Sequence, residues 1–384
     1  MGRGRALARI VTAVVLAAVA SGAPAAASAA PLTAVVTMGD SYISGEGGRW
    51  LGNSPNLVLD RDGTDRACVF TFGVCASYDP SKVYGATAAN GCHRSDVAEV
   101  HSAQLPVERR INIACSGAVT SDLLRASSGG TMPHGETPQG DQLLPVAQAN
   151  RVRMIVVSIG GNDLGFASIV QACFTAYLTK TTPCSQSQAG ALSDANLAAA
   201  ATKVAEVIDE IRAVMRQAGY GDSGYRLVLQ TYPTVLPRAA DARYAELSAE
   251  RTVYGCPFYD ADLDWGHDVA APRIGSMVKS AAAMRGVETV DALHAFDGHE
   301  FCAKTAAAST PLGQPPPSGA EWGRAVSAST IAQGEVQEVF HPDAYGQMAL
   351  GNCLTRLYAA GRGNYTCTGA AGRSPQQMIL TKSG

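Results

Sequence analysis

The sequence has almost no net charge and no basic stripe. Its 384 residues include 30 Lys and Arg against 33 Asp and Glu, which gives a formal net charge of −3. Proteins that bind nucleic acid or an anionic surface carry clustered positive charge, so the sequence argues against those partners. A hydrophobic content of 46% is ample for a core. We therefore expect a globular protein that acts on a small or neutral partner.

The sequence also lacks an apolar run long enough to cross a membrane. Three arginines precede the apolar run Ile10–Ala20, which is shorter than the ~20 residues of a spanning helix. Small residues follow as far as Ala29, and this layout is typical of a secretory signal peptide. We predict that residues 1–29 are a signal peptide and that the protein is secreted.

No internal repeat or long linker divides the remainder of the chain, which excludes a repeat architecture. Residues 30–384 are predicted to form a single domain and to act as a monomer. Two stretches interrupt the regular pattern. The first, near residues 51–90, is rich in Gly, Asn, Asp and Ser, and the second, near 303–333, is rich in Pro and small residues. Both are expected to be loop insertions on the surface.

The ten cysteines include no C-x-x-C pair, and no His-x-x-x-His motif accompanies them. Both absences argue against a zinc site. In an exported chain an even number of cysteines indicates disulfides. Ten cysteines permit ~945 connectivities by simple counting, and our hypothesis is that nearest neighbours pair. The pairs are then Cys68–Cys75, Cys92–Cys115, Cys173–Cys184, Cys256–Cys302 and Cys353–Cys367.

Strand-like and helix-like segments alternate along the chain. Short β-prone runs and longer segments with apolar residues at helical spacing follow one another, which predicts a mostly parallel sheet with helices on both faces. The expected fold is thus an α/β three-layer α/β/α sandwich with disulfide-stapled loops. The predicted strands are Ala34–Met38, Arg109–Ala114, Met154–Ile159, Tyr225–Gln230 and Val287–Val290, and the predicted helices are Leu192–Gln217, Pro272–Met284 and Gln347–Tyr358.

Three of the predicted strands run directly into small polar turns. These turns are Gly39-Asp40-Ser41, Ser116-Gly117 and Gly160-Gly161-Asn162-Asp163. In open α/β sheets ligands bind beyond the carboxyl ends of the strands, so the three turns are expected to converge. Acyl transfer needs a nucleophile with a general base and donors for the developing oxyanion. Serine, glycine and asparagine in these turns, with the late His341, supply those groups.

At these residues the chain resembles the SGNH (GDSL-type) hydrolase superfamily, in particular its actinobacterial secreted lipase and esterase branch. A lone Gly-Asp-Ser is a weak signal, but six blocks occur in the expected order and cover most of the mature chain. The blocks are Gly39–Tyr42 with Ser44–Gly47, Cys92–Ser95, Ala114–Ala118, Ile159–Asp163, Gly298–Cys302 and Glu338–Gln347.

The resemblance implies a role for each matched position. Ser41 would be the nucleophile, and His341 the general base and then the general acid. The Ser41 and Gly117 N–H groups and the Asn162 side chain would form the oxyanion hole. No metal and no organic cofactor would be required. The resemblance also supports the Cys92–Cys115, Cys256–Cys302 and Cys173–Cys184 pairs among those above.

The third member of a triad stays open at the level of sequence. Many members of the superfamily carry Asp three residues before the histidine, where this chain has Glu338. Glu338 could therefore hold the imidazole of His341, or a backbone carbonyl could do so, as in some relatives of this branch. His299 is the alternative base, although its position beside Cys302 favours a structural role. Ser223, in a second Gly-Asp-Ser tripeptide, is expected at the wrong end of the sheet.

The substrate also stays open. The resemblance favours lipid esters, as in a lipase, esterase or phospholipase, with transient contact to a lipid surface. A polysaccharide O-acetyl esterase is the alternative enzyme, and acyl transfer to an alcohol would use the same residues. A non-catalytic lipid- or carbohydrate-binding module on the same fold is the alternative from another class.

Overall fold

The described part of the computed structural model comprises residues 1–2, 30–54, 64–72, 74–309, 314–326 and 334–383. Leu32–Gly384 form one compact unit. The predicted signal peptide lies outside the described residues except for its first two. No helix within the described ranges combines the length and apolarity needed to cross a bilayer.

Two sheets organise the chain. The strands are β1 (Leu32–Gly39), β2 (Cys68–Thr71), β3 (Val74–Tyr78), β4 (Arg109–Asn112), β5 (Asn150–Ser158), β6 (Arg226–Gln230), β7 (Glu288–Asp291), β8 (Tyr365–Thr368) and β9 (Ile379–Lys382). The main sheet has seven strands in the order β4-β1-β5-β6-β7-β8-β9. Its neighbours pair in parallel except for β8 and β9, which are antiparallel. The smaller sheet is the antiparallel pair β2 and β3.

Helices lie on both sides of the main sheet, as the alternating pattern predicts. Short 3₁₀ turns supplement them, for example at Thr120–Leu123, Asn162–Leu164 and Val336–Glu338, and Gly266–Ala270 is a π-helical turn. The α-helices are α1 (Ser41–Ser44), α2 (Ser81–Tyr84), α3 (Glu99–Ser102), α4 (Gln139–Ala149), α5 (Phe166–Leu178), α6 (Cys184–Gln188), α7 (Asp194–Gln217), α8 (Ala249–Val253), α9 (Asp260–Trp265), α10 (Ala271–Arg285) and α11 (Ala344–Ala359).

The longest helix, α7, shows why the apolar spacing predicted it well. Ser193 caps its first turn by accepting a hydrogen bond from the Asn196 amide, so the helix begins at Asp194 rather than at Leu192. Val204, Val207, Ile208, Ile211 and Val214 are fully buried and form one face. Each such side chain contributes roughly 1.5–3 kcal/mol through burial. With α4 and α10 packed beside it, α7 forms part of one helical layer.

The strand order places a switch point at the carboxyl end of β1. The chain passes from β1 to β4 on one side and then to β5 on the other, so the connections leave β1 in opposite directions. Ligands bind in the crevice at such points. The strand ends are aligned there, because Gly39 of β1 is paired with Ser158 of β5 and Thr37 with Asn112 of β4.

The five nearest-neighbour disulfides are all present, and they staple the connections. Cys68–Cys75 closes the β2–β3 hairpin, and Cys353–Cys367 joins α11 to β8. The insertion near 51–90 contains this hairpin and α2, so it is more regular than expected; residues 55–63 and 73 lie outside the described part. In the insertion near 303–333, the described residues form isolated bridges and turns only.

Candidate active site

The turn after β1 presents Ser41 at the first position of α1. Gly39 has a φ of +134°, and a Cβ there would lie 1.9 Å from the Ser158 carbonyl oxygen, so only glycine fits. The Asp40 amide donates to the same oxygen at 3.0 Å. Asp40 also caps α1, because its Oδ1 accepts from the Tyr42 amide at 3.2 Å. These bonds fix the direction in which Ser41 leaves the sheet.

His341 meets Ser41 although 300 residues separate them in the chain. The distance from His341 Nε2 to Ser41 Oγ is 2.6 Å. On its other side, His341 Nδ1 lies 3.0 Å from the Val339 carbonyl oxygen. Because a carbonyl only accepts, Nδ1 must carry the hydrogen, and Nε2 is left to accept the serine proton. The pair has the geometry of a nucleophile with its general base.

The structure does not bring the Glu338 carboxylate to His341, so of the two alternatives that the sequence left open it favours the backbone carbonyl. The Val339 carbonyl occupies that position instead. The Glu338 carboxylate is fully buried and accepts from Trp50 Nε1 and Tyr84 OH at 2.7 Å each. Arg49 NH1 lies 3.5 Å away. Burial raises the pKa of Glu338, and the Arg49 charge opposes that rise.

The loop that carries His341 is held by an aromatic cluster. Phe340 has a φ of +67°, a left-handed conformation that is costly for an aromatic residue. Its ring packs edge-on against Phe166, Phe258 and Phe301, with centroid distances of 5.2 to 6.2 Å. The Phe340 carbonyl accepts from Tyr42 OH at 2.5 Å. Packing and hydrogen bonding together keep the strained backbone in place.

The turn after β4 is bound to the turn after β5. The Asn162 amide Nδ2 donates to the Ala118 carbonyl at 2.9 Å, which uses one of its two hydrogens. Asp163 accepts from the Thr120 amide at 3.0 Å and from its hydroxyl at 2.7 Å. Gly117 lies within this bound segment, with a φ of +76°.

The same segment is fixed to the nucleophile turn, because the Cys115 amide donates to the Gly39 carbonyl at 3.1 Å. Asp163 binds the turns after β4 and β5 together. The three predicted turns therefore converge on Ser41. The chain has the expected α/β fold, a mostly parallel sheet with helices on both faces.

Comparison with solved structures finds bacterial lipases and esterases that are similar to this chain. The sequence itself matches no family model and no curated protein. The extracellular lipase from Streptomyces rimosus is 20% identical, with a TM-score of 0.47 over 85% of this chain and 100% of the lipase. Phospholipase A1 from Streptomyces albidoflavus is 21% identical, with a TM-score of 0.48 over 86% and 100%. A carbohydrate acetylesterase from Sinorhizobium meliloti is 12% identical, with a TM-score of 0.33 over 85% and 98%. Each of these TM-scores is below 0.5, so the comparisons assign no function to the chain.

Sequence reasoning missed Tyr232, which follows β6. Its hydroxyl donates to Asp40 Oδ2 at 2.5 Å and accepts from the Gly161 amide at 3.1 Å. Burial raises the pKa of Asp40 to about 7, and the hydrogen bond from Tyr232 opposes this rise. The only signal in the sequence is the position of Tyr232 directly after a strand, and that signal does not identify its partners.

A cavity of about 560 Å³ opens beside Ser41, Asn162 and His341. Its wall is largely apolar and comes from α5, the turn after β6, the segment from α9 to α10 and the His341 loop. Phe166, Phe174, Leu236, Trp265, Ile274 and Phe340 are among the lining residues. This size is within the range of small-molecule sites. The cavity could therefore bury an apolar group, out of contact with water, next to Ser41.

The alternative candidates occupy structural positions. His299 is fully buried and stacks on Trp322 with a centroid distance of 3.7 Å. Its two ring nitrogens lie within 3.1 Å of the carbonyls of Ala320 and Ala370. Ser223 lies before β6, at the amino end of that strand, and its side chain is exposed. Neither residue lines the cavity.

His341 is in an environment suited to a base. Burial lowers its pKa below the ordinary value of 6.5, and the negative charge of Glu46 opposes the fall. The lowered pKa keeps the imidazole neutral near pH 7, which is the form that can accept a proton. In the described residues, one group has metal-ligand spacing, namely Cys173, Cys184 and Asp262. Its two sulfurs are joined in a disulfide, and Asp262 accepts from backbone amides of α6.

Proposed function

We propose that this chain hydrolyses carboxylic acyl esters through a covalent intermediate on Ser41. The observation that carries the proposal is the 2.6 Å contact between Ser41 Oγ and His341 Nε2. The contact is reinforced by the Val339 carbonyl at 3.0 Å from Nδ1, which fixes the tautomer that can accept the serine proton.

In the first half-reaction Ser41 Oγ attacks the ester carbonyl carbon while His341 Nε2 takes the serine proton. The resulting imidazolium is stabilised by the Val339 carbonyl on Nδ1. Collapse of the tetrahedral intermediate breaks the bond to the alcohol oxygen, and His341 gives its proton to that oxygen. The alcohol leaves, and the acyl group remains on Ser41.

The negative oxygen of the tetrahedral intermediate needs donors. The Ser41 and Gly117 N–H groups and the second hydrogen of the Asn162 amide are proposed for this role. The bonds from Asn162 to Ala118 and from Asp163 to Thr120 support it, because they hold two of the donor-bearing turns at fixed positions. Donors that are already oriented need no rearrangement when the charge develops.

In the second half-reaction a water molecule takes the place of the alcohol. His341 removes a proton from the water as its oxygen attacks the acyl carbon, and then returns the proton to Ser41 Oγ. The sequence of steps reverses the first half-reaction and regenerates the free serine.

The apolar cavity favours an ester with a hydrocarbon acyl chain over an acetyl ester. Burying each methylene group contributes about 0.8 kcal/mol, and the wall of α5 and α10 offers such burial next to Ser41. An acetyl group would leave most of the roughly 560 Å³ unused. Lipid-like esters are therefore the proposed substrate class, and polysaccharide acetyl esters are the second candidate.

A panel of p-nitrophenyl esters from acetate to palmitate tests this substrate class. We expect kcat/KM to rise from acetate towards chains of medium length. Activity confined to acetate would favour the acetyl esterase.

A fluorophosphonate probe tests the chemistry separately. We expect it to label Ser41, with Ser41→Ala unlabelled and Ser223→Ala labelled normally. A folded wild-type protein that takes no label would favour a non-catalytic binding module.

Secretion is proposed on two grounds. The predicted signal peptide at residues 1–29 is one, and five disulfides within one domain are the other, because disulfides persist in oxidising compartments. N-terminal sequencing of the protein recovered from the medium of an expressing bacterium should begin at Ala30. Retention of the full-length chain in the cytoplasm would contradict the proposal.

A further inference from the structure

Two tyrosine hydroxyls each link two segments of the candidate site, and neither tyrosine belongs to the proposed catalytic set. Tyr42 follows the nucleophile directly, and Tyr232 lies 192 residues from the Asp40 carboxylate that it contacts. Their rings meet edge to face, with centroids 5.1 Å apart and an interplanar angle of 83°. Both rings line the cavity, whereas both hydroxyls bind protein groups.

The Tyr42 hydroxyl connects the nucleophile helix to the base. It donates to the Phe340 carbonyl at 2.5 Å, and that carbonyl belongs to the peptide bond that leads into His341. The Tyr42 ring also lies against the imidazole, with centroids 5.0 Å apart. Ser41 and Tyr42 are adjacent, so this hydrogen bond sets the distance between the nucleophile turn and the imidazole.

The Tyr232 hydroxyl connects the nucleophile turn to the third turn. It donates to Asp40 at 2.5 Å and accepts from the Gly161 amide at 3.1 Å. Asp40 precedes Ser41, and Gly161 precedes Asn162. The fit is close, because a Cβ on Gly161 would lie 3.3 Å from the Tyr232 oxygen. One buried hydroxyl thus fixes the separation of the serine and the asparagine.

We propose that Tyr42 and Tyr232 are positioning residues with separate tasks. Tyr42 aligns His341 with Ser41, and Tyr232 aligns the Asn162 amide with the oxygen that becomes negative. The inference rests on the proposed ester hydrolysis at Ser41. Its physical basis is that small misplacements of reacting groups reduce rates strongly, and that oxyanion donors act through their preset orientation.

Double-mutant cycles test the Tyr232 task on the p-nitrophenyl ester that the wild type cleaves best. Removing one oxyanion donor costs roughly 10²–10³ in kcat, and loss of the support alone should cost less. We expect Tyr232→Phe to lower kcat roughly tenfold in the wild-type background. In the Asn162→Ala background the same change should lower kcat less than about twofold, because the donor that Tyr232 aligns is gone. Equal losses in both backgrounds, or no loss in the wild type, would overturn the Tyr232 assignment.

The matching cycle for Tyr42 uses His341. Tyr42→Phe should lower kcat roughly tenfold in the wild type and less than about twofold in the His341→Ala background, in which only the residual rate of the base-free enzyme is left. Tyr42→Phe should also leave the cost of Asn162→Ala unchanged. Coupling of Tyr42 to Asn162 instead of His341 would contradict the separate tasks.

Tyr220→Phe is the control for loss of a buried hydroxyl. The Tyr220 hydroxyl accepts from the Val152 amide at 2.8 Å and donates to the carbonyls of Ala147 and Asn150, at the start of β5 and so at the opposite end of the strand from the site. This variant should lose stability but keep kcat. Folding is monitored by near-UV circular dichroism, and kcat is expressed per folded protein. If Tyr220→Phe also lowers kcat tenfold, the effect is structural and the proposal fails.

A second variant covers the case in which Tyr232→Phe does not fold. Asp40→Asn keeps the capping oxygen for α1 but replaces the oxygen that accepts from Tyr232 with an amide. It should reproduce the kcat loss and the coupling to Asn162, and additivity with Asn162→Ala would overturn the assignment. Failure of the proposed function is a distinct result, because the wild type would then neither cleave esters nor take a fluorophosphonate on Ser41.

Discussion

At the scale of single residues, the Glu338 carboxylate lies in a buried polar cluster and not against the imidazole. Trp50 and Tyr84 donate to it, and the nearby Arg49 also forms a bidentate pair with Asp65 at 2.8 and 3.1 Å. These contacts of the Glu338 side chain hold the segment before His341 and direct the carboxylate away from the imidazole.

We expect Glu338→Gln to retain kcat within roughly tenfold of the wild type, far from the loss on the order of 10⁴ that follows when a triad carboxylate is changed to its amide. Stability should fall by about 1–3 kcal/mol, because the amide of glutamine leaves one buried donor without an acceptor. Steady-state kinetics and urea unfolding measure the two effects. His341→Ala is the reference for loss of the base. If Glu338→Gln lowers kcat as much as His341→Ala does, the Glu338 carboxylate is a member of the triad.

The lowered pKa of His341 predicts how activity depends on pH. The base must be neutral to accept the serine proton, and protonation inactivates it as the pH falls through its pKa in the folded protein. Because burial lowers that pKa below its ordinary value of 6.5, the acidic limb of kcat/KM should have its midpoint below pH 6.5. A profile of kcat/KM from pH 4 to 9 on a neutral ester measures this. An acidic limb centred above pH 7 would show that the imidazole is not desolvated.

The turns after the strands and the family resemblance together predicted Ser41, Gly117, Asn162 and His341 as a group, and the structure brings Ser41 and His341 into contact. Tyr232 could not be found in this way. Its partners lie on other turns, and an isolated tyrosine after a strand is compatible with many environments. Glu338 shows the converse, since spacing to a histidine permits a contact but does not determine which way the side chain turns.

At the scale of elements, two disulfides close loops of comparable length but fasten different parts of the fold. Cys92–Cys115 spans 23 residues and lies beside the Ser116-Gly117 turn, and the Ser116 amide donates to the Cys92 carbonyl at 3.0 Å. Cys353–Cys367 spans 14 residues and joins α11 to the edge strand β8. Chain entropy gives each a similar stabilisation, about 3 kcal/mol.

Replacing either pair of cysteines by alanine should therefore lower the free energy of unfolding by about 3 kcal/mol. Only the variant without Cys92–Cys115 should also lose kcat, because only that disulfide anchors a turn of the site. Urea unfolding and steady-state kinetics on the two variants give the comparison. Equal kcat losses in both would indicate a general loosening of the fold, and equal retention would show that the turn is held without its disulfide.

The elements that could be predicted share a strong local signal. β1, β5 and β6 contain buried apolar runs, and α7 buries a stripe of apolar residues at helical spacing. The positions of these elements agree with the predicted ones to within a few residues. β8 and β9 were not predicted, because β8 alternates apolar and threonine residues over four positions only, β9 is largely exposed, and their place at the sheet edge depends on pairing with each other and on Cys353–Cys367. The hairpin of β2 and β3 was not predicted either, and Cys68–Cys75 joins its two strands.

At the scale of the whole molecule, the site exists because the chain reverses its direction across the sheet at β1. The turns after β1, β4 and β5 lie side by side only in the order β4-β1-β5, and the His341 loop returns to them from the end of the chain. The cavity is assembled in the same way, from α5, the turn after β6, α10 and the His341 loop. No local segment contains it, which is why the sequence left the substrate open.

A single substitution in the cavity wall should therefore change the preference for acyl chain length without changing the rate of the chemical step at Ser41. Ala271, at the start of α10, lines the cavity, and Ala271→Phe would fill part of it. We expect kcat/KM for medium and long acyl esters to fall at least tenfold, since about two buried methylene groups contribute that much, while the acetate ester is cleaved at nearly the wild-type rate. Ala198→Phe, on an exposed turn of α7, is the matched control and should leave the profile unchanged. If Ala271→Phe lowers the rates for acetate and long chains by the same factor, the cavity does not receive the acyl chain, and the lipid-ester proposal would lose its main support.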